Sequence, residues 1–134
     1  MKDEASRFLL RRNALFRELP DDVLDKVTGL STRRRYAKGE TVFLQGDPGD
    51  ALYGVVSGTV RISCSSASSA EVFLNIMEPG DSFGEIALLD GKPRTASAIA
   101  TSEADLMIIQ RAKFLGLLKE EHTLTLHLLE LCCE

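Results

Sequence analysis

An acid and a base, Glu85 and Arg94, stand nine positions apart in the run Phe83-Gly84-Glu85-Ile86-Ala87-Leu88-Leu89-Asp90-Gly91-Lys92-Pro93-Arg94-Thr95-Ala96. An ionised glutamate accepts hydrogen bonds, for example from a sugar hydroxyl. A guanidinium presents a planar fork to two phosphate oxygens and keeps its charge when buried. Together they suit a small ligand that carries both groups. Gly84 has no Cβ, so its backbone can approach such a ligand closely. The residues from Glu85 to Leu89 favour a helix, and the first N–H groups of a short helix lie unsatisfied at the positive end of its dipole. Phosphate is their natural occupant. Pro93 holds Lys92 extended and so delivers Arg94 in a defined direction. Thr95 adds a hydroxyl within reach of a phosphate or a base. A plainer arrangement uses the same two charges: Glu85 and Arg94 pair with each other across a turn. The ordered neighbours Gly84, Pro93 and Thr95 favour the ligand.

Catalysis is not expected. No nucleophile stands beside a base, and Glu85 next to an arginine stays ionised, which does not suit a general acid. Cysteine and histidine are scarce. The three cysteines are Cys64, Cys132 and Cys133, and the adjacent pair is poorly placed for a bridge. His122 and His127, five apart on a predicted helix, point in different directions. A metalloenzyme built on a jelly roll would want histidines on its strands, and none of the predicted strands has one. Neither a metal nor a cofactor is expected.

The elements that must hold these residues fit into 134 positions, a length that buries one core. A net charge of −4 argues against DNA contact by this segment itself. No apolar run approaches the ~18 residues of a membrane span. The polar start Met-Lys-Asp-Glu-Ala-Ser-Arg is no secretory signal, so a cytoplasmic location is expected.

Apolar spacing predicts a helix over 6–19, ended by Pro20, and a second short helix capped by Asp21 and closed by Gly29. Residues 31–110 change character: short Val, Ile, Phe, Tyr and Thr runs alternate with glycine-bearing turns, which predicts many short antiparallel strands in a sandwich or jelly roll. The strand candidates are 32–36, 41–45, 51–56, 59–64, 71–76, 82–83, 95–100 and 104–110. Ser63 to Ala70 is expected to be a flexible hairpin loop, and Arg33-Arg34-Arg35 a solvated strand rather than a nucleic-acid patch. Residues 111–118 and 120–134 read as helices. In the last region Leu117, Leu124, Leu128 and Leu131 form one apolar stripe, and Leu126, Leu129 and Cys133 form a second. One stripe is expected to pack on the β-domain and the other to meet a partner. The domain plan is therefore a helical segment 1–30, a β-roll 31–110 holding the chemistry at 83–96, and C-terminal helices 111–134.

The run from Phe83 to Ala96 resembles, with scarcely a departure, the phosphate-binding cassette of the cyclic nucleotide-binding domains. Leu15-Phe16-Arg17-Glu18-Leu19-Pro20 is similar to that family's helical entry. Lys38-Gly39-Glu40 and Gln45-Gly46-Asp47-Pro48-Gly49-Asp50 look like its first strand turns, and Leu52-Tyr53 through Ser57-Gly58-Thr59-Val60 like its central hairpin. The resemblance covers nearly the whole chain. It implies a mainly β fold, a jelly-roll-like β-roll with helices at both ends. It also implies a ligand, cAMP or cGMP, bound by Phe83, Gly84, Glu85, Ile86, Ala87, Arg94, Thr95 and Ala96. In that set Glu85 takes the ribose 2′-hydroxyl and Arg94 the cyclic phosphate. A threonine at position 95 bonds guanine in some members and phosphate in others, so the base stays open.

The C-terminal part most resembles bacterial transcription regulators of the catabolite-activator and FNR group, whose long helix forms a dimer and leads into a helix-turn-helix. The expectation is a sensor domain that dimerises through its C-terminal helix, with any DNA contact made by a further domain beyond Glu134. The regulatory domain of a kinase or channel is the alternative, as is a roll kept as an interaction module without nucleotide.

Overall fold

The computed structural model describes residues 3–65 and 71–132, and only the backbone at 3, 85–87 and 132. Two helices, α1 (Asp3–Arg12) and α2 (Asp21–Gly29), lead into β1 (Thr32–Tyr36), β2 (Thr41–Phe43), β3 (Ala51–Ser57), β4 (Val60–Ser65), β5 (Glu71–Met77) and β6 (Ser82–Phe83). A short helix α3 (Glu85–Asp90) interrupts the strands before β7 (Ser97–Ala100) and β8 (Ala104–Gln110). Two further helices follow, α4 (Arg111–Glu120) and α5 (His122–Cys132). The strands form two antiparallel sheets of four, ordered β1-β8-β3-β6 and β2-β7-β4-β5. This is the expected β-roll with helices at both ends.

One sheet is covered on both faces, and its sequence says why. In β8, Leu106 and Ile108 pack into the interior of the roll while Met107 and Ile109 pack against the helices. A strand buried on both faces reads as a continuous apolar run rather than an alternating one. Its neighbour β3 divides in the same way, with Tyr53 and Val55 on the roll side and Leu52 on the helical side. Gly54 leaves room for α1: a Cβ there would sit 3.1 Å from Leu9 and 3.0 Å from Met107. The helical cluster gathers Leu9, Leu10, Phe16, Leu24, Val27, Phe114, Leu124 and Leu128, with Phe16 and Phe114 edge-to-face at 5.9 Å.

The first helix differs from the expected 6–19. It stops at Arg12, and residues 13–19 form turns. Asn13 is the reason: its side-chain oxygen accepts the Leu15 N–H at 2.8 Å and its amide donates to Ser82 Oγ at 2.7 Å. An asparagine that bonds the backbone locally competes with the helix. Asp21 does not cap α2 with its side chain; its carboxylate pairs with Arg7 and Arg11 instead. β2 is shorter than 41–45 because Asp47 captures the Leu44 N–H at 2.9 Å and turns the chain.

The C-terminal stripe is split between two helices. Glu121 is extended, so Leu117 belongs to α4 and the remaining leucines to α5. Leu124 and Leu128 are buried in the helical cluster and Leu117 and Leu131 pack against it, whereas Leu126 and Leu129 are 59% and 57% exposed. Cys133 lies outside the described residues, as does the 66–70 part of the expected hairpin loop. The arginine triplet lies on the surface and is paired: Arg33 with Asp105 at 2.6 Å, Arg34 with Glu40 at 3.1 Å, and Arg35 with Glu103. No described helix is long and apolar enough to cross a membrane.

Candidate ligand-binding site

The site is built where β6 ends. Gly84 follows Phe83 with φ at +83°, a conformation that side chains with a Cβ rarely adopt. A Cβ at this position would also lie 2.8 Å from Arg94 Nη1 and 3.1 Å from the Ala51 carbonyl. From Gly84 the chain enters α3, anchored by the fully buried Leu88, and returns through Gly91, Lys92 and Pro93 to Arg94. Beneath that return lies Arg111, whose Nη2 reaches the Leu89 carbonyl at 3.4 Å.

Arg94 is fixed at both its backbone and its side chain. Its N–H donates to the Asp47 carbonyl at 2.8 Å, and its carbonyl accepts the Gly46 N–H at 2.8 Å. The residue is only 7% exposed, and its Nη2 donates to the Ala51 carbonyl at 2.7 Å. The carboxylate of Asp50 stands 3.8 Å from Nη2 but is itself largely in water. Nε is buried and has no hydrogen-bond partner among the described residues. A buried cation is costly unless paired, and an unbonded buried donor adds to that cost. The guanidinium carbon lies 4.2 Å from the centre of the Phe43 ring and 5.6 Å from that of Tyr53. Phe43, Tyr53 and Phe83 form an aromatic group, with Tyr53 and Phe83 stacked at 5.5 Å. Burial pushes the Tyr53 phenol above its ordinary range, Tyr36 and Asp50 add to the shift, and Arg94 opposes it.

Beside this group is a cavity of about 380 Å³. Phe83, Gly84, Arg94, Thr95 and Ala96, all expected at the site, line it together. The backbone of Glu85, Ile86 and Ala87 forms the start of α3; their side chains lie outside the described residues, as does any pairing of Glu85 with Arg94. The cavity has further walls that the sequence reading did not single out: Phe43, Ile62, Met77, Ser82 and Asp90. Ile62 has a sequence signal, since it stands two positions from Val60 and strand alternation puts both inside the roll. Phe43 has none, because its strand is irregular there. Lys92 and Pro93, read only as setting the direction of Arg94, line the cavity as well.

The arrangement offers a mostly apolar chamber with one buried cation, a hydroxyl at Thr95 and a carboxylate at Asp90. That composition binds and orients an anionic ligand with an apolar body. Among the described residues, no group of three or more His, Cys, Asp or Glu is placed to hold a metal ion.

Comparison with known proteins agrees with this geometry. The family model of the cyclic nucleotide-binding domain matches residues 33–121. The chain is 36% identical over 110 residues to the cyclic AMP receptor protein of Thermus thermophilus, a match covering 82% of this chain and 51% of that protein. It is 34% identical over 111 residues to the cAMP-dependent protein kinase regulatory subunit of Blastocladiella emersonii, covering 83% of this chain and 27% of that one. Among solved structures, the N-terminal domain of a transcriptional regulator from Streptomyces coelicolor superposes with a TM-score of 0.84 at 33% identity. That match covers 91% of this chain and 85% of the other. The chain thus spans about half the length of the receptor protein and about a quarter of the kinase subunit. With its fold, its cassette and these relatives in agreement, the chain belongs to the cyclic nucleotide-binding domain family.

Proposed function

We propose that the chain is a non-catalytic cyclic nucleotide sensor that takes cAMP or cGMP into the cavity beside Arg94. One observation carries the reading: a guanidinium 7% exposed, with a buried Nε that lacks a partner, forms a wall of a cavity of about 380 Å³. A cyclic phosphate would supply that cation with acceptors and a negative charge. In this reading Phe83, Gly84, Ile86, Ala87 and Ala96 shape the pocket, Glu85 takes the ribose 2′-hydroxyl, and Thr95 stands by the phosphate or the base. The names of the bacterial relative and of the kinase subunit both point to cAMP.

Titration calorimetry of the wild type and Arg94→Ala with cAMP, cGMP and a cyclic dinucleotide tests the assignment. Removing one partner of a buried charge pair costs ~2–5 kcal/mol. Near-equal affinities in the two proteins would take Arg94 out of the site.

We infer a cytoplasmic role in transcription control, with 1–30, 31–110 and 111–134 as parts of one effector domain and DNA reached only through another domain; the name of the Streptomyces coelicolor neighbour, a transcriptional regulator, favours that role. The exposed Leu126 and Leu129 then form a homodimer face, and a ligand that fully switches such a dimer must favour one state by ~5.5 kcal/mol. Sedimentation of the nucleotide-loaded chain checks that face: a monomer at all concentrations, unchanged by Leu126→Glu with Leu129→Glu, removes it.

A further inference from the structure

Phe43 owes its position to a break in strand pairing. Opposite β7, Thr41 pairs with Ile99, but Phe43 pairs with Ala98, so β2 carries one residue more than its partner. An unbroken strand would send Val42 and Phe43 to opposite faces, yet both pack against the interior of the roll. Such a bulge re-aims a side chain. Here it puts the Phe43 ring 4.2 Å beneath the guanidinium carbon of Arg94.

The cation needs that ring. Its described polar contacts are the Ala51 carbonyl at 2.7 Å and a well-exposed Asp50 carboxylate at 3.8 Å. Neither engages Nε. An aromatic face attracts a cation electrostatically, more strongly when water is excluded. A leucine of similar bulk would keep the wall apolar without attracting the charge.

We propose that Phe43 is a positioning residue for Arg94: its ring holds the guanidinium plane so that Nη2 stays on Ala51 and the cation keeps its place in the cavity wall, ready for the anionic ligand. The proposal rests on the cyclic nucleotide reading of this cavity and adds to it a residue outside the cassette. The sequence pattern of β2 gives no hint of it, because the extra residue is visible only in the pairing.

The test is a double-mutant cycle on the whole 134-residue chain. Wild type, Phe43→Leu, Phe43→Tyr, Arg94→Ala and the double Phe43→Leu/Arg94→Ala are titrated with cAMP and cGMP and unfolded in urea without ligand. Phe43→Leu is expected to weaken binding about tenfold, and Phe43→Tyr, which keeps the ring, to stay within about threefold of wild type. In the Arg94→Ala background, Phe43→Leu should cost less than about twofold, because the ring then has no cation to hold. An equal loss in both backgrounds overturns the proposal, since Phe43 would then touch the ligand rather than act through Arg94; so does no loss in Phe43→Leu. Should the Arg94→Ala proteins bind too weakly to measure, the urea cycle decides: a favourable coupling between the two positions supports the proposal and additive effects overturn it. If the wild type binds neither nucleotide, the functional reading fails on its own, and the urea cycle alone judges the pairing of ring and cation.

Discussion

The two apolar clusters of this chain do opposite things with the same sheet. On one face of β3 and β8, the helical cluster packs aliphatic side chains and the Phe16–Phe114 pair, and its large residues are almost fully buried. On the other face, the roll interior mixes small and aromatic residues with a few aliphatic ones and borders a cavity of about 380 Å³ and a buried arginine. Close packing favours stability; a void and an incompletely paired cation oppose it. The helical side therefore carries the fold while the roll side keeps room for a ligand. A binding site inside so small a domain depends on a neighbouring core dense enough to hold the frame.

Three measurements test whether the two sides act separately. The largest effect is expected from Phe114→Ala, which opens a hole in the helical cluster and should lower unfolding free energy in urea by ~3–5 kcal/mol. Nucleotide affinity, measured under conditions where the variant is folded, should barely change. A large loss of affinity would mean that the two sides are not separate. Gly84→Ala should come next: a positive φ, Arg94 and the Ala51 carbonyl all resist a methyl group, at a cost of ~1–3 kcal/mol. Here affinity should fall with stability, because the obstruction lies at the guanidinium.

The smallest effect is a dependence on alkaline pH. Burial raises the Tyr53 phenol above 10.0, so the unfolded chain releases that proton before the folded one does. Its contribution is complete below about pH 10 and disappears as pH rises through the folded value. Lys26, raised from 10.5 by its bond to Glu121 on the helical side, loses its contribution in the same direction but later. Tyr36, also raised by burial, acts in the same direction, so stability should stay level with respect to these groups until about pH 10 and then fall, less steeply in Tyr53→Phe. A decline of unchanged steepness in Tyr53→Phe would assign it to other groups.

Much of this was legible in the chain. The strand plan followed from apolar runs and glycine turns, and β1, β6 and β8 occupy the expected residues. Gly84 and Arg94 were legible as well, because a missing Cβ and a charge beside a proline leave marks in sequence. What escaped depends on contacts between distant segments. Asn13 ends α1 by bonding the Leu15 N–H while its amide is held by Ser82 far along the chain, and the extended Glu121 divides a leucine stripe that is continuous when written out. Phe43 is the sharpest case. A strand one residue out of step with its partner has the same letters as one in step, so its direction could not be read.

The paired backbone hydrogen bonds that tie Arg94 to Gly46 and Asp47 have a mechanical consequence. They weld one side of the chamber to the sheet framework, so that side yields only if the barrel itself loosens. The helix α3 is fastened differently, by the buried Leu88 and by the longer reach of Arg111 to the Leu89 carbonyl. Of the elements around Arg94, α3 is the one that packs on both β3 and α4, so the wall of the chamber is continuous with the C-terminal helices.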